Sequence, residues 1–182
     1  MPFLGKALIQ RVAERLAPVA DELIVTTNRP EAYRFLGLPL FADLLPGRGA
    51  LGGLYTALTC ASHPAVAVVA CDMPFASAAL LEHAHALLLQ EQADVVIPKS
   101  AEGYEPLHAV YQRETCLPAI KAAIAADQWK LIAWFPQVRV IPLTGDTIAS
   151  LDPAGIAFWN LNTPEEFASA EETARQEGAG GP

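Results

Sequence analysis

The chain has 182 residues, which fits a single domain whose core is large enough to cover both faces of a sheet. Hydrophobic residues make up 52% of it and charged residues 18%, a composition that excludes a disordered protein. The formal net charge of -8 argues against a nucleic-acid backbone or an anionic membrane surface as partner. The sequence lacks an apolar run of the ~18 residues that a membrane helix needs, and its first residues lack the pattern of a signal peptide, so we expect a cytoplasmic protein.

Two hydrophobic periodicities alternate along the chain, one typical of helices and one of strands. In chain order they predict helix 8–16, strand 22–27, helix 51–61, strand 66–71, helix 77–91, strands 94–98 and 107–111, helix 114–126, strand 138–143 and helix 164–176. This alternation predicts an α/β protein of three layers with a mostly parallel, doubly wound sheet. We expect residues 1–176 to form one domain and residues 177–182, EGAGGP, to be a flexible tail.

The segment VVACDMPF, residues 68–75, carries the sharpest chemical signal. An apolar strand ends there and places Asp72 at its carboxyl end, the edge at which open α/β sheets bind ligands. A carboxylate in this position suits Mg²⁺, which takes few protein ligands and prefers substrate phosphates for the rest. The alternative is that Asp72 only caps the turn that follows the strand.

A second segment, LLPGRGALGGLYTAL at residues 44–58, combines four glycines with Arg48 at a loop that leads into a helix. Glycine lets the backbone approach a ligand closely, and the amides at a helix N-terminus favour anions. The segment matches neither of the standard glycine-rich phosphate motifs, so a structural turn is the alternative interpretation.

The third segment is FWNLNTPEEF, residues 158–167. Thr163 followed by Pro164 and two acidic residues is a typical helix start. Asn160 and Asn162 alternate just before it, so their side chains lie on one face of a short extended stretch. They are candidate ligand contacts, with turn-forming asparagines as the alternative.

These three segments, in this order, resemble the molybdenum cofactor guanylyltransferases (MobA-type) of the nucleotidyltransferase superfamily. The matching stretches are PFLGKALIQRVAERL (2–16), ELIVTTNRP (22–30), PGRGALGGLYTAL (46–58), ACDMPF (70–75), EGYEPLHAVY (102–111) and FWNLNTPEEF (158–167). The resemblance implies a nucleotide-diphospho-sugar transferase (Rossmann-like) fold and the transfer of GMP from GTP to molybdopterin with release of pyrophosphate. It also implies Mg²⁺ as cofactor, and a molybdenum insertase and molybdoenzyme chaperones as partners.

The resemblance also implies roles for individual residues. Asp72 corresponds to the family's magnesium-binding aspartate, and so to the catalytic metal ligand. Residues that fall where the family contacts the guanine nucleotide are Asn28, Asp43, Gly52 and Gly53. Asn160 and Asn162 align with asparagines on the molybdopterin side.

One part of the family pattern is not in this sequence. Family members begin with a strand and a loop of the form L-A-G-G-x-S-x-R-M-G-x-D-K, ahead of the stretch that here starts at Pro2. That strand is the first and central one of the family's sheet, and the loop cradles the triphosphate. We therefore expect the chain as given to be weakly active and less stable than one with both restored, and expect a misassigned gene start or a trimmed sequence as the cause.

Two alternative functions stay open. A molybdopterin cytidylyltransferase or a sugar-phosphate nucleotidyltransferase would share the fold and the metal aspartate. A non-catalytic paralogue would bind molybdopterin or a protein partner through the C-terminal half. The asparagine pair and the EPLHAVY segment, residues 105–111, favour the guanylyl enzyme.

Overall fold

A computed structural model describes residues 2–179 of the chain. Its elements are β1 (Pro2–Phe3), β2 (Lys6–Ala7), α1 (Leu8–Leu16), β3 (Val25–Thr26), β4 (Leu40–Phe41), α2 (Gly49–Cys60), β5 (Ala65–Val69), α3 (Ala78–Gln90), β6 (Val95–Ser100), β7 (Gly103–Tyr104), β8 (His108–Gln112), α4 (Arg113–Ala125), β9 (Val140–Leu143), α5 (Asp146–Leu151) and α6 (Pro164–Ala179). No helix within this described range has the length and apolar character needed to cross a membrane.

Most predicted elements are present to within about two residues at each end, the usual uncertainty of such boundaries. Helix α6 continues to Ala179, past its predicted end at residue 176. The predicted flexible tail therefore begins with helical residues, and its last part, 180–182, lies outside the described residues. The short helix α5 and strands β1, β2, β4 and β7 were not predicted, because each is too short to produce a periodic pattern.

The main sheet has the order β5-β8-β6-β7, with β9 on the other side of β6. Strand β9 runs parallel to β6, whereas β8 runs antiparallel to both β5 and β6. Strands β5, β6 and β9 therefore share one direction, as expected for a doubly wound sheet, whereas β7 and β8 run against it, so that three of the four ladders between the described strands of this sheet are antiparallel. The reversed direction of β8 was not predicted, because an apolar strand buried on both faces gives no sign of its direction.

Helices cover both faces of the main sheet, which confirms the predicted α/β class with three layers. Alternate residues of β6 point to opposite faces: Val95 and Ile97 pack with α2 and α4, and Val96 packs with α3. All three side chains are fully buried. This two-sided burial explains why the predicted strands here are nearly unbroken apolar runs.

The region around β3 is built differently from the main sheet. The predicted strand 22–27 forms ladder pairs only at Val25 and Thr26, which lie parallel to Leu40 and Phe41 of β4. Within residues 2–179, β3 pairs only with β4, and β5 pairs only with β8. An apolar groove of about 450 Å³ separates β3 from β5 and is floored by α1 and α2.

A third apolar cluster joins the N-terminal hairpin to α6. Phe3 is fully buried against Phe75 and Phe167, with ring centroids 6.2 and 6.3 Å apart. Phe75 in turn stacks on Trp159 at 5.8 Å. This cluster packs the loop after β5 against the segment that precedes α6, and so brings two of the predicted site segments together.

Candidate functional site

The Asp72 turn, residues 70–77, follows the last residue of β5 at the carboxyl end of the strand. Its backbone is fixed at the start, where the Ala70 amide donates to the Leu107 carbonyl at 2.9 Å, and Met73 and Phe75 anchor it in the core. Asp72 is half-buried. Its carboxylate has no hydrogen-bond or ion-pair partner within residues 2–179. Among the described residues, the carboxylate therefore makes no capping hydrogen bond to the turn.

Asn28 and Asp43 lie together at the carboxyl ends of β3 and β4. The Asn28 Nδ2 amide donates to Asp43 Oδ2 at 2.7 Å, and the Asp43 backbone amide donates to Asn28 Oδ1 at 3.1 Å. Parallel pairing of the two strands produces this juxtaposition, because parallel strands end at the same edge. Asn28 is exposed and Asp43 is half-buried, so the pair is accessible to a ligand from the solvent side.

Gly52 and Gly53 lie where the first turn of α2 meets the second, and they differ in their surroundings. A Cβ at Gly52 would lie 3.0 Å from the Leu45 carbonyl oxygen, so this glycine permits the close approach of the preceding loop. A Cβ at Gly53 would meet nothing within 4 Å, and this residue lines the groove. Gly52 is thus required for packing, whereas Gly53 leaves open space on the groove.

Thr56 links α2 to the loop that carries Asp43. Its hydroxyl donates to the Gly52 carbonyl at 2.9 Å and accepts from the Leu44 amide at 3.0 Å. Arg48 does not line the groove, and its guanidinium lies 4.3 Å from the centre of the Trp129 ring. The predicted nucleotide contacts are therefore connected to one another through α2 and its preceding loop. The Arg48 side chain of that loop points to Trp129 and not into the groove.

The asparagine segment, residues 158–162, lies beside the Asp72 turn. The amide of Leu161, the residue between the two asparagines, donates to the Asp72 carbonyl at 3.0 Å, and its side chain is buried in the cluster that contains Phe3 and Phe75. Asn160 Nδ2 donates to the Phe158 carbonyl at 3.3 Å, a weak local contact. Both asparagines thus flank the residue that holds this segment on the Asp72 turn.

The helix start after this segment has the predicted cap. The Glu166 amide donates to Thr163 Oγ1 at 3.2 Å, and the backbone amides of Asn162 and Thr163 donate to Glu166 Oε2 at 2.6 and 2.8 Å. The hydrogen bonds from these two backbone amides hold the pKa of the Glu166 carboxyl below its usual range. The cap uses the backbone of Asn162 and leaves its side chain exposed.

The groove between β3 and β5 connects part of the predicted site. Thr27, Gly53 and Asp72 line it, whereas Asn28 and Asp43 lie next to it and the two asparagines of residues 158–162 do not line it. Among the described residues that line the groove, Asp72 is the one charged side chain. The described groove therefore offers a place for a cation on Asp72 but no basic side chain for phosphates.

Two residues near the Asp72 turn were missed by the sequence analysis. His108 is fully buried, and its Nε2 accepts from the Ser77 amide at 2.9 Å. Burial lowers the pKa of His108 to about 4, against a smaller opposing effect of the nearby Asp152. Arg15 Nε donates to the Ala76 carbonyl at 3.2 Å. For the His108–Ser77 contact, the only sequence signal was a histidine at the start of a predicted strand. The Arg15–Ala76 contact had no sequence signal.

Comparison with known proteins places the chain in a family. The model of the MobA-like NTP transferase domain matches residues 1–140. A molybdenum cofactor guanylyltransferase of Desulfosudis oleivorans is 33% identical over 167 residues, which are 92% of this chain and 82% of the relative. A probable molybdenum cofactor guanylyltransferase of Pelotomaculum thermopropionicum is 34% identical over 178 residues, which are 96% of this chain and 84% of the relative.

A solved structure agrees with these matches. Molybdopterin-guanine dinucleotide biosynthesis protein A of Archaeoglobus fulgidus superposes with a TM-score of 0.82 at 26% identity, over 97% of this chain and 89% of that one. This likeness confirms the predicted fold. Because the family model covers well over half of the sequence and the relatives extend over nearly all of it, the chain belongs to the MobA-like NTP transferase family.

Proposed function

We propose that this protein is a molybdenum cofactor guanylyltransferase, which transfers GMP from GTP to molybdopterin and releases pyrophosphate. The observation that carries the proposal is the Asp72 turn. Its carboxylate has no protein partner among residues 2–179, and its backbone binds the segment that carries Asn160 and Asn162. The names of the curated relatives support guanylyl over cytidylyl transfer.

The proposed reaction needs alignment more than acid–base chemistry. The terminal phosphate of molybdopterin is already ionised near neutral pH, so it attacks the α-phosphorus of GTP without a general base. A new P–O bond forms at the α-phosphorus as the bond to the β-phosphate bridging oxygen breaks, and pyrophosphate leaves with that electron pair. The protein has to hold the two phosphates in line and offset their charge.

Asp72 is the residue that would hold Mg²⁺. It fits the ion because Mg²⁺ in phosphate-transfer sites is bound through one or two carboxylates and completes its shell with substrate oxygens and water. The half-buried position of Asp72 on the groove leaves its oxygens free for such a contact. When bound, Mg²⁺ neutralises charge on the phosphates. The Asp72 turn is held in place by Leu161 and by its own buried Met73 and Phe75.

We place the guanine nucleotide over the carboxyl ends of β3 and β4. There the Asn28–Asp43 pair presents an amide and a carboxylate whose orientation is fixed by their mutual hydrogen bonds. A base edge that carries both N–H donors and a carbonyl acceptor matches such a pair. Gly53 lets the phosphates approach the α2 backbone, and the packing of Gly52 fixes the loop that carries Asp43.

The test is the identity of the product. The purified protein is incubated with molybdopterin, Mg²⁺ and either GTP or CTP, and the dinucleotide is identified by mass spectrometry. We expect the guanine dinucleotide. A cytosine dinucleotide would replace the proposed base preference, and molybdopterin binding without either product would favour the non-catalytic alternative.

The asparagine segment is proposed to contact molybdopterin and not GTP. Changing both Asn160 and Asn162 to Ala should weaken molybdopterin retention at least tenfold, while the GTP affinity stays within about twofold, a shift below ~0.5 kcal/mol. Titration calorimetry with each ligand measures the two affinities. Equal loss of both would mean that the pair serves only the start of α6. The insertase and chaperone partners that the resemblance implies stay predictions.

A further inference from the structure

One buried polar side chain lies between the two halves of the site and has no part in the proposed reaction. His108 is fully buried at the start of β8, opposite Val69, the last residue of β5. It therefore sits beside the strand end from which the Asp72 turn begins.

On one side, His108 holds the far end of the Asp72 turn. Its Nε2 accepts from the Ser77 amide at 2.9 Å. Ser77 is also the cap of α3, since its hydroxyl accepts from the Leu80 amide at 3.2 Å. The turn is thus tied at its start to the backbone of Leu107 and at its end to the side chain of the next residue, His108. The two ties come from the first residue of β8 and from the residue before it.

On the other side, the imidazole meets the asparagine segment. Its ring packs edge-to-face against Phe158, with centroids 5.2 Å apart and planes at 85°. Phe158 begins the segment, and its carbonyl accepts from Asn160. One rigid side chain therefore contacts both the turn that carries Asp72 and the segment that carries the asparagines.

We propose that His108 is a positioning residue that fixes the Asp72 turn relative to the asparagine segment, and with them the metal side of the site relative to the molybdopterin side. The proposal rests on the function proposed above. The physical reason is that in-line transfer tolerates little displacement, since a shift of about 1 Å can reduce the rate on the order of 100-fold.

The chemistry of the contact separates ring shape from hydrogen bonding. His108→Phe keeps an aromatic ring against Phe158 but leaves the Ser77 amide without its acceptor. His108→Gln restores an acceptor through its amide oxygen. Tyr111→Phe is the matched control: it removes another buried hydrogen bond of the same strand, from the Tyr111 hydroxyl to the Pro106 carbonyl, on the opposite face of the sheet.

The experiment compares these three variants with the unchanged protein in two assays. Hydrogen exchange followed by mass spectrometry reports the order of residues 70–77 and 158–162. Steady-state guanylyl transfer reports kcat and KM. We expect His108→Phe to increase exchange in both segments together and to lower kcat about tenfold or more, with KM for GTP within about twofold. His108→Gln should recover most of both properties, and Tyr111→Phe should change neither.

Each outcome decides something. Exchange in His108→Phe that stays unchanged, or rises in one segment only, would overturn the proposal, and so would a normal kcat despite increased exchange. If Tyr111→Phe lowers kcat as much as His108→Phe does, His108 contributes only to the overall stability of the fold. If the unchanged protein makes no guanine dinucleotide, the proposed function fails, while the exchange assay still decides whether His108 joins the two segments.

Discussion

The two sides of the groove differ in how completely they are built. On one side, strands β5, β8, β6 and β9 are four to six residues long and pair into one sheet, with helices packed on both faces. On the other, β3 and β4 pair over only two residues each. Yet the run ELIVTT at residues 22–27 has as strong a strand pattern as the others.

The difference shows that a segment with strand propensity forms a long strand only where neighbouring strands hydrogen-bond to it. β6 has strands along both edges, whereas β3 has β4 on one edge and the groove on the other within the described residues. Among the described residues, the backbone groups of β3 that face the groove form no ladder hydrogen bonds, and the side chains of β3 are only half-buried. The less complete side nevertheless carries the Asn28–Asp43 pair, so the weaker framework holds a predicted nucleotide contact.

The largest expected effect is on stability, and it compares the same residue type on the two sides. Ile97 in β6 is fully buried, and Ile24 beside β3 is half-buried on the groove. Ile97→Ala should lower the free energy of unfolding by about 2–5 kcal/mol, because it opens a cavity in a closed core. Ile24→Ala should lower it by roughly 1 kcal/mol, since fewer contacts are lost. Urea unfolding of both variants measures the difference, and equal losses would mean that the two sides are packed alike.

The second effect is on the reaction. It tests the Asp72 turn, which follows β5 on the main-sheet side of the groove. Asp72→Asn keeps the shape of the side chain and removes its charge. We expect guanylyl transfer to fall about 100-fold or more, as for loss of a principal charge stabiliser. Asp21→Asn, at an exposed aspartate away from the turn, is the control and should leave the rate unchanged. Near-normal turnover of Asp72→Asn would end its assignment as metal ligand.

The third prediction would make the two sides alike. Adding an apolar strand and a glycine-rich loop of the family form ahead of Met1 should fill the groove between β3 and β5. The unfolding midpoint should rise by several degrees, since ~1 kcal/mol moves a domain of this size by ~2–4 °C. Mg²⁺-dependent binding of GTP should become stronger. Thermal melts with and without GTP and Mg²⁺ test both effects.

The control for that addition carries two prolines within the added strand, because proline cannot donate to a ladder. An equal midpoint shift from the proline version would show that strand pairing is not the cause. If the unextended protein already binds GTP as tightly, the phosphates must be held by another segment, and the loop around Arg48 is the candidate.

The last expected effect is the most gradual one, a pH dependence of stability in the main sheet. The pKa of His108 is lowered to about 4 by burial, below its usual value of 6.5. Between these values the unfolded chain takes up a proton that the folded protein does not, so stability falls as the pH falls from about 6.5 to about 4. The slope contributed by this group is at most about 1.4 kcal/mol per pH unit.

Melting temperatures of the unchanged protein and of His108→Gln, compared from pH 7 to 4.5, measure this slope. Asp152 is the charged group that acts on His108, and it opposes the shift. The variant should show the flatter profile because it has no group to protonate there. Parallel profiles would mean that other groups cause the loss.

Much of the site could be located from sequence because its signals are local. The position of Asp72 directly after an apolar strand predicted its place at the carboxyl end of β5. The cap at Thr163 was readable from four consecutive residues, and the structure contains it. The roles of Asn28, Asp43, Gly52, Gly53, Asn160 and Asn162 in binding came from the resemblance and stay predictions.

The sequence by itself determined the alternation of helices and strands, the two-sided burial of the main strands and the family, because hydrophobic period and short motifs are properties of neighbouring residues. Only the tertiary structure decided the reversed direction of β8, the short ladder of β3 and the groove beside it. It alone placed His108 between the Asp72 turn and the asparagine segment. These features depend on which elements meet across long sequence separations, and no local pattern encodes such meetings.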